Sequence, residues 1–320
     1  MNRARSAALG ALALAAACRT SEPAPKAAGP TAQAQAPGEQ GPALERAPGA
    51  TDDGGRLQLP ERASGKLPLL VFLHGLGGSG GELAEGLGLA ELSESLGFGY
   101  IAPDGVLDHS GRRFWNATES CCNFDGLAVD HVQLLRRWIT QATANPRVDP
   151  GRVYIVGFSN GGFMAYRAAC ELGPLLRGIV SIAGAGSSGA AACRPNAKLS
   201  VVQIHGDRDP IVSFEGGYLF GDGQRPAHPS AEASVAAWAE LDGCSGSAQP
   251  TRELDLDPRV PGAETQVVSY SGCGERRVEL WRIPGGDHFA GLSRRSARAI
   301  WDFISADSAS PQPAGGAPSR

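Results

Sequence analysis

Three short stretches of the chain hold residues that could act together on an acyl group. Gly157-Phe158-Ser159-Asn160-Gly161 has Gly-x-Ser-x-Gly spacing, directly after the apolar run Arg-Val-Tyr-Ile-Val and before a helical pattern. A serine on a sharp turn between strand and helix offers its hydroxyl to substrate. The flanking glycines let the two elements approach without Cβ clashes. A hydroxyl is a poor nucleophile until a base takes its proton and a carboxylate orients that base. Three histidines follow Ser159. His205 closes an apolar run and lies too close in sequence to the candidate acid to reach the serine from the far side. His228 lies in a Pro-flanked loop. His288 follows the strand-like Val-Glu-Leu-Trp-Arg-Ile and precedes the last helical pattern, so it is the expected base. The loop His205-Gly-Asp-Arg-Asp-Pro-Ile-Val supplies the acid. Asp209, a few residues past the strand end, is expected to orient His288. Asp207 reads as a turn residue accepting backbone N–H groups, and Asp287 as a loop carboxylate.

Acyl transfer also needs N–H donors for the oxyanion that develops on the carbonyl oxygen. Asn160, opening the helix after the nucleophile, is expected to give one through its backbone. Leu76, in the glycine-rich loop His74-Gly-Leu-Gly-Gly-Ser-Gly, is expected to give the other. That loop lacks the Gly-Lys-Ser/Thr ending of a phosphate loop, and His74 reads as a structural residue shaping it. Phe114-Trp115-Asn116 could form an aromatic shelf with Trp115 as a substrate contact, although core packing suits either ring equally. The scheme calls for no cofactor, and cysteine and histidine nowhere cluster at metal-ligand spacing, so no metal is expected.

Several alternating elements must hold these residues. Leu67–Leu73 and Phe98–Ala102 read as buried strands, as do Arg152–Val156, Gly178–Ala183, Leu199–Ile204 and Arg276–Ile283. Helical spacing falls on Leu127–Ala142, Gly162–Leu172, Ser230–Leu241 and Leu292–Ile304. This alternation predicts one α/β domain over residues 53–305, with a mostly parallel central sheet and helices on both faces.

The 320 residues include 42% hydrophobic residues, enough for a large core, and the formal charge of -4 is mild. No basic stripe suggests a nucleic-acid partner. Arg3 and Arg5 before the apolar run Ala7–Ala17 read as an export signal, too short to span a bilayer permanently. Ala15-Ala16-Ala17-Cys18 reads as a lipobox, with Cys18 lipidated, although the same residues suit ordinary signal-peptidase cleavage. Residues 19–52, rich in Ala and Pro, read as a disordered tether, and 306–320 as a disordered tail. The expected location is therefore outside the cytoplasm of a bacterium, as an outer-membrane lipoprotein or a periplasmic or secreted protein. Membrane contact is expected only through that lipid. Of seven cysteines, six remain after Cys18, an even set that suggests disulfides in an exported chain.

Taken together, GFSNGGFMAYRAACE, LHGLGGSG, PDG, SGRRFWNATESCCNFD and IHGDRDPIV resemble the polyhydroxybutyrate depolymerase-like and feruloyl esterase-like α/β-hydrolases, over about Leu67 to Ile304. The resemblance implies a single α/β-hydrolase domain with Ser159, Asp209 and His288 as its triad. It implies a lidless esterase for polyesters, or for acetyl or hydroxycinnamoyl esters of polysaccharides, so the expected partner is an ester, polymeric in some cases. Many members carry Gly-Gly-Gly-His-x-Trp-Pro around the base, where this chain reads GGDHFAGLS. Cys244 and Cys273 flank a long loop, and the resemblance supports their pairing. For Cys121, Cys122, Cys170 and Cys193, pairing of the adjacent cysteines with the other two is expected over a strained vicinal bond. Two other functions compete: a serine peptidase of the same fold, and a non-catalytic surface-binding lipoprotein.

Overall fold

A computed structural model describes residues 55–187, 193, 195–223 and 225–308. Cys18, the export segment, the tether and the chain after 308 lie outside the described residues. Ten strands are described: β1 (Leu67–Leu73), β2 (Gly99–Ile101), β3 (Val106–Leu107), β4 (Arg113–Phe114), β5 (Val148–Phe158), β6 (Gly178–Ile182), β7 (Ser200–Gly206), β8 (Gln249–Leu254), β9 (Thr265–Ser269) and β10 (Val278–Ile283). The α-helices are α1 (Gly80–Leu87), α2 (Leu89–Leu96), α3 (His131–Thr143), α4 (Asn160–Leu172), α5 (Ala231–Asp242) and α6 (Arg294–Ser308).

Eight strands form one sheet in the order β2-β1-β5-β6-β7-β10-β9-β8. Pairing is parallel from β2 through β10 and antiparallel at β10–β9 and β9–β8. β1 shows why the sheet is covered twice. Every residue of this strand is buried, and successive side chains point to opposite faces. Leu69, Val71 and Leu73 join a core with residues of α3 and α4, whereas Leu70 and Phe72 join a second core with residues of α1, α2 and α6. The parallel strands therefore all end on one edge, where the loops after β1, β5, β7 and β10 gather.

The last helix runs to Ser308, beyond the expected Ile304. Asp307 near its end is buried and accepts hydrogen bonds from Tyr154 of β5 and Ser200 of β7, and Arg177 pairs with it. That carboxylate ties α6 to the start of the sheet.

The cysteines correct one expectation. Cys121 bonds Cys122 and Cys170 bonds Cys193, so the adjacent pair is vicinal rather than cross-linked. Helix α4 explains this. Cys121 Sγ lies 3.5 Å from the side chain of Asn160, at the N-terminus of α4. Cys170 lies ten residues further along the same helix, on the order of 15 Å away at 1.5 Å per residue. A disulfide rarely spans more than about 6.8 Å between Cα atoms. Cys244 bonds Cys273, with Cα atoms 3.9 Å apart, as the sequence led one to expect.

Candidate active site

Ser159 sits between the end of β5 and the start of α4 with φ 54° and ψ -119°. Positive φ is unusual for a residue carrying a Cβ, and such strain persists only where the surroundings enforce it. Here they do. Ser159 N–H donates to Ile182 O of β6 at 2.7 Å, and its own carbonyl accepts from Gly162 and Phe163. A Cβ on Gly157 would strike the backbone of Gly161 and Gly162, and one on Gly161 would strike the carbonyls of Leu73 and His74. The two motif glycines are therefore required by close backbone approach.

The structure brings the three candidate catalytic side chains into one hydrogen-bonded line. His288 Nε2 lies 3.0 Å from Ser159 Oγ, and His288 Nδ1 lies 2.7 Å from Asp209 Oδ2. His288 and Asp209 are buried and Ser159 is partly exposed. The other carboxylate oxygen of Asp209 accepts the N–H groups of Ile211 and Val212, at 2.8 and 2.9 Å. Burial acts to raise the pKa of this carboxyl, but hydrogen bonds from His205, His288 and Val212 outweigh it and hold the group well below the usual carboxylate range.

Sequence reasoning passed over His205 after rejecting it as a base. Its Nδ1 lies 3.0 Å from the Gln203 amide nitrogen, which has hydrogens to donate, so the ring proton belongs on Nε2. That Nε2 lies 2.8 Å from Val212 O and 3.3 Å from Asp209 Oδ2. His205 is a second imidazole neighbour of the acid, and the signal was present in its position at the end of β7, four residues before Asp209. Asp207 accepts from Gly285 N–H and pairs with Arg282, and Asp287 pairs with Arg259. Both therefore have structural work away from the imidazole. His228 is buried against Phe163, and its Nε2 has no partner among the described residues.

The backbone N–H groups of Leu76 and Asn160, the expected oxyanion donors, have no acceptor among the described residues. The adjoining donors are occupied: Gly77 N–H bonds Arg113 O, and Gly78 N–H bonds Gly75 O. His74 fixes this loop. Its Nδ1 lies 2.7 Å from Gly75 O, and its Nε2 accepts from Gly105 N–H at 2.9 Å. Burial lowers its pKa, so it stays neutral with the proton on Nδ1.

Trp115 does not form a shelf. It is fully buried, and its indole N–H donates to His74 O at 3.0 Å. Its backbone N–H donates to the side-chain oxygen of Asn160 at 2.6 Å, and the Asn160 amide donates back to Trp115 O at 2.9 Å. An indole needs a partner for its N–H when buried, and this one found it on the glycine-rich loop. Trp115 thus joins that loop to the helix that follows Ser159, a positioning role behind the site.

Comparison with known proteins finds likeness to esterases. A family model described as Phospholipase/Carboxylesterase matches residues 116–224. The "Putative esterase NocK" of Nocardia uniformis subsp. tsuyamanensis is 32% identical over 230 residues, covering 69% of this chain and 64% of that protein. "Feruloyl esterase B" of Piromyces equi is 28% identical, covering 74% of this chain and 41% of that protein. The chain therefore spans less than two thirds of either relative. "Feruloyl esterase D" of Neurospora crassa is 26% identical, with 78% and 80% covered. The solved acetyl xylan esterase of Aspergillus awamori superimposes with a TM-score of 0.55 at 15% identity, covering 78% of this chain and 93% of that one, which is a likeness of fold.

Proposed function

We propose that this chain, an α/β-hydrolase similar in sequence to feruloyl esterases, hydrolyses carboxylic esters through an acyl-enzyme on Ser159. The observation that carries the reading is the unbroken line from Ser159 Oγ through His288 to Asp209, built on a serine at positive φ. Ser159 attacks the ester carbonyl as His288 Nε2 takes its proton, and Asp209 holds the imidazolium that forms. The N–H groups of Leu76 and Asn160 receive the charge on the carbonyl oxygen. His288 then gives its proton to the departing alcohol, which leaves the acyl group on Ser159. Water enters, His288 takes a proton from it, and the acid is released as Ser159 regains its hydrogen.

Feruloyl esters are the substrates that the named relatives suggest for this site, with acetyl esters of polysaccharides and polyhydroxyalkanoate as the alternatives. The three disulfides suit a protein matured in an oxidising compartment, which supports export, with Cys18 as the lipid anchor.

A fluorophosphonate probe and short-chain nitrophenyl esters test the reading. Ser159→Ala is expected to abolish labelling and to lower ester turnover by about 10⁴–10⁶-fold. Labelling that persists in that variant would overturn the nucleophile. Rapid amide cleavage with negligible ester turnover would make the protein a peptidase.

A further inference from the structure

Among the described residues, five large apolar side chains are exposed: Tyr218, Phe220, Leu241, Val260 and Phe289. Three are aromatic, and these three belong to the segments that follow Asp209 and His288. Phe289 is 57% exposed, with its ring centroid 5.3 Å from that of His288 and 5.5 Å from that of Phe158. Phe220 is 56% exposed and holds φ 54°, ψ 10°. Its N–H donates to Ile211 O at 3.0 Å, and Ile211 N–H donates to Asp209 Oδ1 at 2.8 Å. Two hydrogen bonds thus tie the backbone of Phe220 to the catalytic carboxylate. Its neighbour Leu219 is buried and anchors the turn.

Both rings are placed at a cost the fold does not recover. A left-handed backbone suits glycine and disfavours a residue with Cβ. A phenyl ring in water forfeits the burial that makes it useful in a core. A strained, exposed Phe220 and an exposed Phe289, on the loops that carry Asp209 and His288, are explained by something that covers them.

We propose that Phe220 and Phe289 form an aromatic rim that grips the apolar part of the acyl group bound at Ser159, selecting flat or extended apolar acyl esters over small ones. The proposal rests on the ester-hydrolase reading. It assigns the specificity of that site to two residues, one from the acid loop and one from the base loop. After His288, Ala290 and Gly291 stand where the His-x-Trp-Pro pattern has Trp and Pro, so Phe289 is the large side chain left beside the base.

Ethyl acetate, ethyl octanoate and ethyl cinnamate share an alcohol too small to engage the rings, so acid release from them isolates the acyl preference. Phe289→Ala and Phe220→Ala are each expected to reduce the kcat/KM ratio of cinnamate or octanoate over acetate by about threefold to tenfold, through KM. Phe→Trp at either position should restore it. Losing cinnamate preference alone identifies a flat ring as the ligand, and losing both identifies apolar chains generally. Phe220→Gly relieves the backbone, so it should raise Tm while losing selectivity. Full selectivity in Phe220→Gly, or equal losses on all three esters, would overturn the rim. Binding of ethyl cinnamate to Ser159→Ala, read by tryptophan quenching, separates the two ideas. Binding weakened by Phe289→Ala in an enzyme whose wild type hydrolyses no ester would keep the rim and sink the esterase. An active wild type whose binding ignores both rings would do the reverse.

Discussion

Two buried aspartates stand at opposite ends of β7, and the fold treats them oppositely. Asp209, just past the C-terminal end, receives four donors: the N–H groups of Ile211 and Val212, His288 Nδ1, and a longer contact from His205 Nε2. Asp242, which accepts the N–H of Leu199 at the other end, has that one hydrogen bond at 3.1 Å, and its Oδ2 has none. Burial pushes both carboxyls toward the neutral form. At Asp209 the donors win and the pKa falls far below normal, whereas at Asp242 burial wins and lifts it to about 6. Burial by itself therefore says nothing of a carboxylate's charge; the count of donors decides it. Of these two carboxylates, the chain supplies them to the one at the active end.

Removing the charge at the active end should have the largest effect. Asp209→Asn keeps an oxygen for the N–H groups of Ile211 and Val212, so the loop should fold. The amide cannot hold His288 in the tautomer that accepts from Ser159. Turnover of a short-chain ester should fall about 10⁴-fold, with the circular-dichroism spectrum of the wild type retained. A loss below tenfold would mean that another group orients His288.

Removing one donor should do less and should move a pH limb. His205→Phe deletes the Nε2 proton beside Asp209 while filling the same space. The folded pKa of Asp209 is depressed, so its contribution is present above the unfolded value near 3.9 and lost as pH falls through the folded value. Without His205 that folded value rises, and acid inactivation should begin at higher pH. A charge-assisted hydrogen bond is worth about 1.5–3 kcal/mol, which corresponds to an upward move of about one unit or more, with turnover at pH 8 reduced about tenfold. An acid limb that stays in place while activity falls would make His205 a packing residue.

The contrast between the two aspartates also marks how far the sequence could be read. Ser159 and His288 were legible because a strained turn and a loop before the last helix need particular residues at particular spacings. Asp209 was chosen over Asp207 by its distance past the strand, and the rejected residue does bind backbone and Arg282 as a turn carboxylate should. The parallel strands were legible as continuous apolar runs. β8 and β9 were not: β8 reads Gln-Pro-Thr-Arg-Glu-Leu, mostly exposed at the sheet edge, and carries no hydrophobic period. α1 and α2 were missed because each spans two turns, too short for a periodic signal. Trp115 and Asn160 form a contact between positions 45 residues apart. Nothing local to either residue reports it, and the vicinal disulfide beside them was misjudged for the same reason.

Asp242 gives the last and smallest test, since β7 separates it from Asp209 by on the order of 20 Å and activity should not change. Its folded pKa of about 6 lies above the unfolded value near 3.9. Between those values the folded state holds a proton that the unfolded state has released. The stability this contributes is complete below about pH 4 and is lost as pH rises through about 6. Above that, the fold must carry a buried charge with one hydrogen bond, only partly offset by Lys198 and Arg276. Asp242→Asn keeps an oxygen for Leu199 N–H and abolishes the charge. It should raise stability at pH 8 by about 1–2 kcal/mol, a Tm gain of about 2–6 °C, and give no gain at pH 4. Scanning calorimetry at the two pH values reads this directly. A variant less stable than wild type at pH 8 but not at pH 4 would mean that Asp242 is ionised and paired. The two ends of β7 would then differ in their number of donors but not in the charge state those donors select.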